Sequence, residues 1–126
     1  MLPRQDLLDP FALGSWTPCV DICQTESLVL VRVELPGVGA SDVNLSFQAG
    51  SLQIQGIKRE PPQSRKLLCY YCLERRYGRF SRSISIDWIV NPRQARARMD
   101  HGILQIEFPK LKDRRGDGVK IKIKGK

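Results

Sequence analysis

The stretch Gly78-Arg79-Phe80-Ser81-Arg82-Ser83-Ile84-Ser85-Ile86 alternates without a break. Phe80, Arg82, Ile84 and Ile86 fall on one parity; Arg79, Ser81, Ser83 and Ser85 fall on the other. A period of two residues predicts a strand with one apolar face, because successive side chains of an extended chain point to opposite sides. The exception is Arg82, a guanidinium on the apolar side. Burying such a charge is costly unless a carboxylate and further acceptors meet it. The stretch therefore predicts a sheet, an interface and an acidic partner for Arg82, with Glu74, Asp87 or an acid of another subunit all open.

The same period recurs along most of the chain. Trp16-Thr17-Pro18 opens strand-like sequence in which Val20 and Ile22 alternate with Asp21, and Val29, Val31, Val33 and Leu35 alternate with Arg32 and Glu34. Val43, Leu45 and Phe47 form a third set, and Leu52, Ile54 and Gly56 return from it across Ala49-Gly50-Ser51. Ala95, Ala97 and Met99 alternate with Arg96 and Arg98, then turn at Asp100-His101-Gly102 into Ile103 to Phe108. Pro36-Gly37 and Asn91-Pro92 supply further turns. No segment longer than about three turns has helical periodicity. Short strands with turn signals between them predict an all-β sandwich.

A chain of 126 residues with 41% hydrophobic content suits one domain with short arms. The expected division is an arm over 1–15, the domain over 16–110 and an extension over 111–126. No apolar run approaches the roughly 20 residues that span a bilayer. Met1 to Asp6 carries acid and Pro where a signal peptide has its apolar core, so a cytoplasmic protein without membrane contact is expected. Eight Lys/Arg and two Asp from Lys110 to Lys126 carry +6 of the net charge of +8. The basicity belongs to the tail. A solvated terminus is favoured over phosphate binding, since no aromatic residue in that tail offers stacking for nucleic acid.

Four cysteines, Cys19, Cys23, Cys69 and Cys72, have spacings that suggest a zinc site. Their setting disfavours one. Cys69-Tyr70-Tyr71-Cys72 reads as extended, which sends its two sulfurs to opposite faces, whereas zinc pairs sit on tight turns. Free, partly buried thiols are expected, with no metal and no cofactor.

Three apolar elements lie outside the alternating core. Leu7, Leu8, Phe11 and Leu13 occupy the arm, and either pack on the domain or act as an interaction element. Leu67 to Leu73 is β-prone and follows a polar loop with Pro61-Pro62. Left alone it is a sticky edge, which invites pairing with another subunit or a local fold-back. Val119, Ile121 and Ile123 alternate with Lys120, Lys122 and Lys124. An isolated strand is unstable in water, so this segment is expected either to plug a groove or edge, its own or a neighbour's, or to be a final strand.

In this order the motifs resemble the small heat-shock proteins, built on the α-crystallin domain. The carriers are Trp16-x-Pro18 with Asp21-Ile22, Glu34-Leu35-Pro36-Gly37-Val38 and Leu52-x-Ile54-x-Gly56. They continue with Glu74-Arg75-x-Tyr77-Gly78-x-Phe80-x-Arg82, Ala97-x-Met99-x-His101-Gly102-Ile103-Leu104, Ile106-x-Phe108-Pro109-Lys110 and Ile121-x-Ile123. The resemblance implies an immunoglobulin-like β-sandwich with a flexible C-terminal tail. It implies an ATP-independent holdase that works as dimers assembled into larger oligomers and binds unfolding client proteins. Leu67 to Leu73 falls where bacterial and plant members exchange a strand, making Tyr70, Tyr71, Glu74 and Arg82 interface residues. Val119, Ile121 and Ile123 match the anchor that fills another dimer's groove. Val43, Leu45, Phe47, Ala95, Ala97 and Met99 match the groove, and Leu7, Leu8, Phe11 and Leu13 are client-binding candidates. Ser85-Ile86-Asp87-Trp88 departs from the family's usual Leu-Pro, and the arm is short for the family.

Other functions fit less well. A co-chaperone adaptor of the related CS-type sandwich lacks both the exchanged loop and the tail anchor. An enzyme needs a nucleophile and base, a phosphate-binding Gly loop or a metal cluster, and the sequence offers one His in a turn. No small-molecule substrate is expected.

Overall fold

The computed structural model describes residues 16–111 and 119–125. The arm residues Leu7, Leu8, Phe11 and Leu13 lie outside that range. Within it run β1 (Val20–Gln24), β2 (Leu28–Glu34), β3 (Val43–Gln48), β4 (Ser51–Lys58), β5 (Gly78–Ser85), β6 (Arg96–Asp100), β7 (Ile103–Pro109), β8 (Val119–Ile121) and β9 (Ile123–Lys124). Two short 3-10 turns, Ala40–Asp42 and Pro92–Gln94, precede β3 and β6.

Tight turns set the register of two hairpins. Ala49 and Gly50 stand at φ 54° and 78°, and His101 and Gly102 at 54° and 76°. Positive φ at both central residues is the turn whose twist matches that of paired strands. Gln48 therefore faces Ser51, and Asp100 faces Ile103. One sheet has the order β1-β2-β7-β6-β9, the other β5-β4-β3-β8. All pairs are antiparallel except β6 with β9.

The all-β sandwich is the fold expected from alternation. The parities read from the sequence face inward: Val29, Val31, Val33, Leu45, Phe47, Leu52, Ile54, Leu104, Ile106 and Phe108 are buried. Phe47 and Phe108 meet across the two sheets at 5.2 Å between ring centroids. Phe80, Ile84 and Ile86 are buried and their alternates are exposed, as the opening stretch requires.

Three segments differ from their sequence expectation. Trp16 to Cys19 is not strand, and β1 begins at Val20. Trp16 instead packs on Phe80, 5.0 Å between centroids, and its indole N–H donates to the Gly78 carbonyl at 3.1 Å. Ala95 precedes β6 and caps the turn at Pro92–Gln94, so it borders the groove strand rather than belonging to it. Leu67 to Leu73 forms no strand and does not fold back onto a described strand. Unpaired, its β propensity goes unrealised, since a lone strand is unstable.

Candidate functional site: a closed side and an open side

The two sides of the sandwich differ in what covers them. On one side β3 ends one sheet's core and β6 ends the other's, leaving a cleft between them; Val43, Leu45, Phe47, Ala97 and Met99 on these strands are buried and Ala95 is partly buried. The C-terminal segment fills it. Leu45 faces Ile121 and Phe47 faces Val119 in an antiparallel pair, while Ala97 faces Ile123 in a parallel one. The segment thus passes from one sheet to the other at Lys122. Ile121 is 8% exposed and Ile123 packs partly buried on the core, while Lys120, Lys122 and Lys124 face solvent. Alternation drives this docking: burying an Ile is worth about 1.5–3 kcal/mol. Within one chain the tail therefore pairs with its own β3 and β6, at Leu45, Phe47 and Ala97. One feature opposes docking. Arg98 lies directly beside Lys124 in the β6–β9 register, a like-charge pair.

The other side is open. Among the described residues β1 and β5 are the outer strands there, and nothing pairs with the outer edge of β1. Glu34 donates its N–H to the Cys19 carbonyl at 3.0 Å, and Cys23 faces Leu30. In an antiparallel ladder the N–H and C=O of one residue point to the same side. Cys19, Asp21 and Cys23 therefore turn theirs towards β2, and Val20, Ile22 and Gln24 present theirs to the open edge. Ile22 is on the core parity yet 49% exposed. The segment before β5 is similarly uncovered: Leu68 and Tyr71 are fully exposed, and Leu67 and Tyr70 nearly half so.

Arg82 spans the mouth of this side. It faces the buried Ile54 in β4, is itself half-buried, and donates from Nη1 to the Pro18 carbonyl at 3.0 Å. The expected carboxylate is not its partner among the described residues; Glu74 and Asp87 are exposed elsewhere. Half-burial explains this, since a guanidinium that keeps part of its water needs fewer protein acceptors. Sequence reasoning missed the carbonyl partner because a main-chain oxygen leaves no residue signature. Beside it, Lys58 Nζ lies 5.8 Å from both the Trp16 and Tyr77 ring centroids. Burial, and then the neighbouring Arg75 charge, hold its ammonium pKa below the usual lysine value.

The four thiols are free but exposed rather than partly buried, since β1 is an edge strand and Leu67 to Leu73 is uncovered, and the described residues contain no group of metal-ligating side chains. No helix among them is long and apolar enough to cross a membrane.

Residues 21–124 match the model of the Hsp20/alpha crystallin family. The chain belongs to that family. Small heat shock protein C2 of Rickettsia felis is 38% identical over 108 residues, which cover 86% of this chain and 68% of that protein. Small heat shock protein C4 of the same organism is 37% identical, with 83% of this chain and 64% of that protein covered. Heat shock protein 16 of Schizosaccharomyces pombe is 32% identical over 78% of this chain and 69% of that protein. The match thus spans about two thirds of these relatives' length. Among solved structures, heat shock protein 16.0 of Schizosaccharomyces pombe superposes with a TM-score of 0.70 at 29% identity, covering 82% of this chain and 94% of that one. A small heat-shock protein from Xylella fastidiosa, with a distinct high order structure, gives 0.66 at 29% identity over 82% and 96%. Membership in this small heat-shock family carries its coarse role, that of a chaperone and not of an enzyme.

Proposed function

We propose that this chain is an ATP-independent holdase that captures unfolding proteins and works as dimers assembled into oligomers. The observation that carries the reading is the open side. An unpaired strand edge at β1 lies in a molecule that also exposes Ile22, Leu67, Leu68, Tyr70 and Tyr71. A free edge recruits extended chain through its backbone, and apolar surface of this kind marks interaction rather than solvation. Capture by such surfaces needs no chemistry and no nucleotide. In the dimer, Leu67 to Leu73 of one copy adds to the β1 edge of the other. Tyr70, Tyr71, Glu74 and Arg82 form the interface, where Arg82 is available to an acid of the partner. In larger assemblies Val119, Ile121 and Ile123 dock in a neighbour's groove in place of their own. Leu7, Leu8, Phe11 and Leu13 contribute to client capture.

The test is heat-induced aggregation of a thermolabile enzyme without nucleotide, followed by light scattering. Equimolar protein is expected to suppress the scattering. Scattering that rises unchanged overturns the holdase reading.

A further inference from the structure

The cysteines have no part in the function above, yet their placement on the open side is specific. Cys69 and Cys72 are three residues apart, so in an extended strand they point to opposite faces. The parity Leu67, Cys69, Tyr71, Leu73 is the more apolar; the other holds Leu68, Tyr70 and Cys72 between Lys66 and Glu74. Added to the β1 edge, the apolar parity belongs on the core face with Val20 and Ile22. Cys72 then shares the outer face with Cys19, Asp21 and Cys23.

Backbone geometry narrows the choice further. Because Cys19 and Cys23 turn their N–H and C=O towards β2, an incoming antiparallel strand meets both at sites without hydrogen bonds. At such sites paired Cα atoms lie about 4.5 Å apart and side chains are closest. A disulfide needs Cα atoms about 4.4–6.8 Å apart. In the antiparallel arrangement, the register that seats Leu67 to Cys72 on Cys19 to Gln24 puts Cys72 opposite Cys19, Tyr71 opposite Val20 and Cys69 opposite Ile22. Placing Cys72 opposite Cys23 leaves most of the segment unpaired. Cys19 and Cys23 are too far apart to bond each other, since four extended residues span about 13 Å.

We propose that Cys72 of one copy and Cys19 of a second copy form a disulfide across the β1 edge, a peroxide-sensitive latch on the exchanged strand. The inference rests on the strand exchange proposed above. One thiolate attacks a peroxide oxygen; the O–O bond breaks, water leaves and a sulfenic acid forms. The second thiol attacks the sulfenic sulfur, the S–S bond forms and a second water is expelled. The two thiols lose two electrons and the peroxide gains them. The latched dimer neither opens at β1 nor trades subunits until a thiol reductant cleaves the bond.

The experiment uses the full chain with hydrogen peroxide, alkylation of remaining thiols, non-reducing electrophoresis and peptide mapping. Mass in reductant is measured in parallel by light scattering. A covalent dimer linked Cys19 to Cys72 is expected. Cys72→Ser and Cys19→Ser should each abolish that link while keeping the reduced dimer, and Cys69→Ser should retain it. A chain that is monomeric in reductant overturns strand exchange and the latch with it. A dimer in reductant that oxidises only to a Cys69–Cys72 bond within one chain, or cross-links equally well as Cys72→Ser, overturns the latch alone.

Discussion

Gly56 sits where three strands press together. A Cβ at this position would stand 2.3 Å from the Asp42 carbonyl oxygen and 2.5 Å from the tip of the Phe80 ring. Two effects oppose each other in Gly56→Ala. Relief of glycine's backbone entropy favours alanine in a strand by about 0.5–1 kcal/mol. Overpacking costs about 1–3 kcal/mol and more where the obstacle is backbone. The clash wins, so Gly56→Ala should lower stability by about 2 kcal/mol or more, read from the urea midpoint of unfolding. An unchanged midpoint would show that β3 and β5 yield more easily than their packing suggests. Gly56 was legible in the sequence only as a member of an alternating set, because the pattern records parity and not how closely neighbours approach. Arg82 shows the same boundary. Its strand and its face followed from alternation, but its partner, the Pro18 carbonyl, belongs to tertiary structure that brings 18 and 82 together.

At the scale of elements, legibility depended on whether a segment takes up a partner edge within the chain. The core strands have such edges and their parities were correct. Leu67 to Leu73 has the composition of a strand but pairs with no described strand, although the outer edge of β1 stands open, and it is irregular. The C-terminal segment has two edges, and it uses both. Its unbroken Ile/Lys alternation did not disclose that Val119–Ile121 would serve one sheet and Ile123–Lys124 the other. That crossing makes the docking sensitive to charge. Arg98 and Lys124 are adjacent and exposed, so their repulsion weakens β9 by a few tenths of a kcal/mol up to about 1 kcal/mol. Arg98→Glu converts the pair to an attraction. Amide exchange at Ile121 and Ile123 should slow in the variant, by up to about fivefold for each kcal/mol gained. Added salt should slow it in the wild type, where it screens repulsion, and speed it in the variant. Exchange that is indifferent to both changes would place the control of docking in the Ile side chains alone.

The molecule has one side that its own tail completes and one side that nothing among the described residues completes. A groove satisfied by its own tail is equally satisfied by an identical tail from a neighbour, since the contacts of Ile121 and Ile123 with Leu45, Phe47 and Ala97 are the same in either case. What differs is connectivity. Residues 112–118 join the domain to the segment, and seven residues reach at most about 25 Å. At low concentration the intramolecular arrangement is favoured by its high effective concentration. In an assembly, where neighbouring grooves are held within reach, the balance turns on geometry rather than affinity. The alternation of Val119, Ile121 and Ile123 suggested either a plug or a final strand and left open whose groove it fills, because identical copies carry identical patterns. Truncation before Val119 separates the cases. If tails link dimers, the truncated protein should fall to the mass of a dimer by size exclusion with light scattering, while the β1 edge still holds the two copies together. If each tail serves only its own groove, the mass stays unchanged. Truncation then costs thermal stability alone, as expected from exposing Leu45, Phe47 and Ala97.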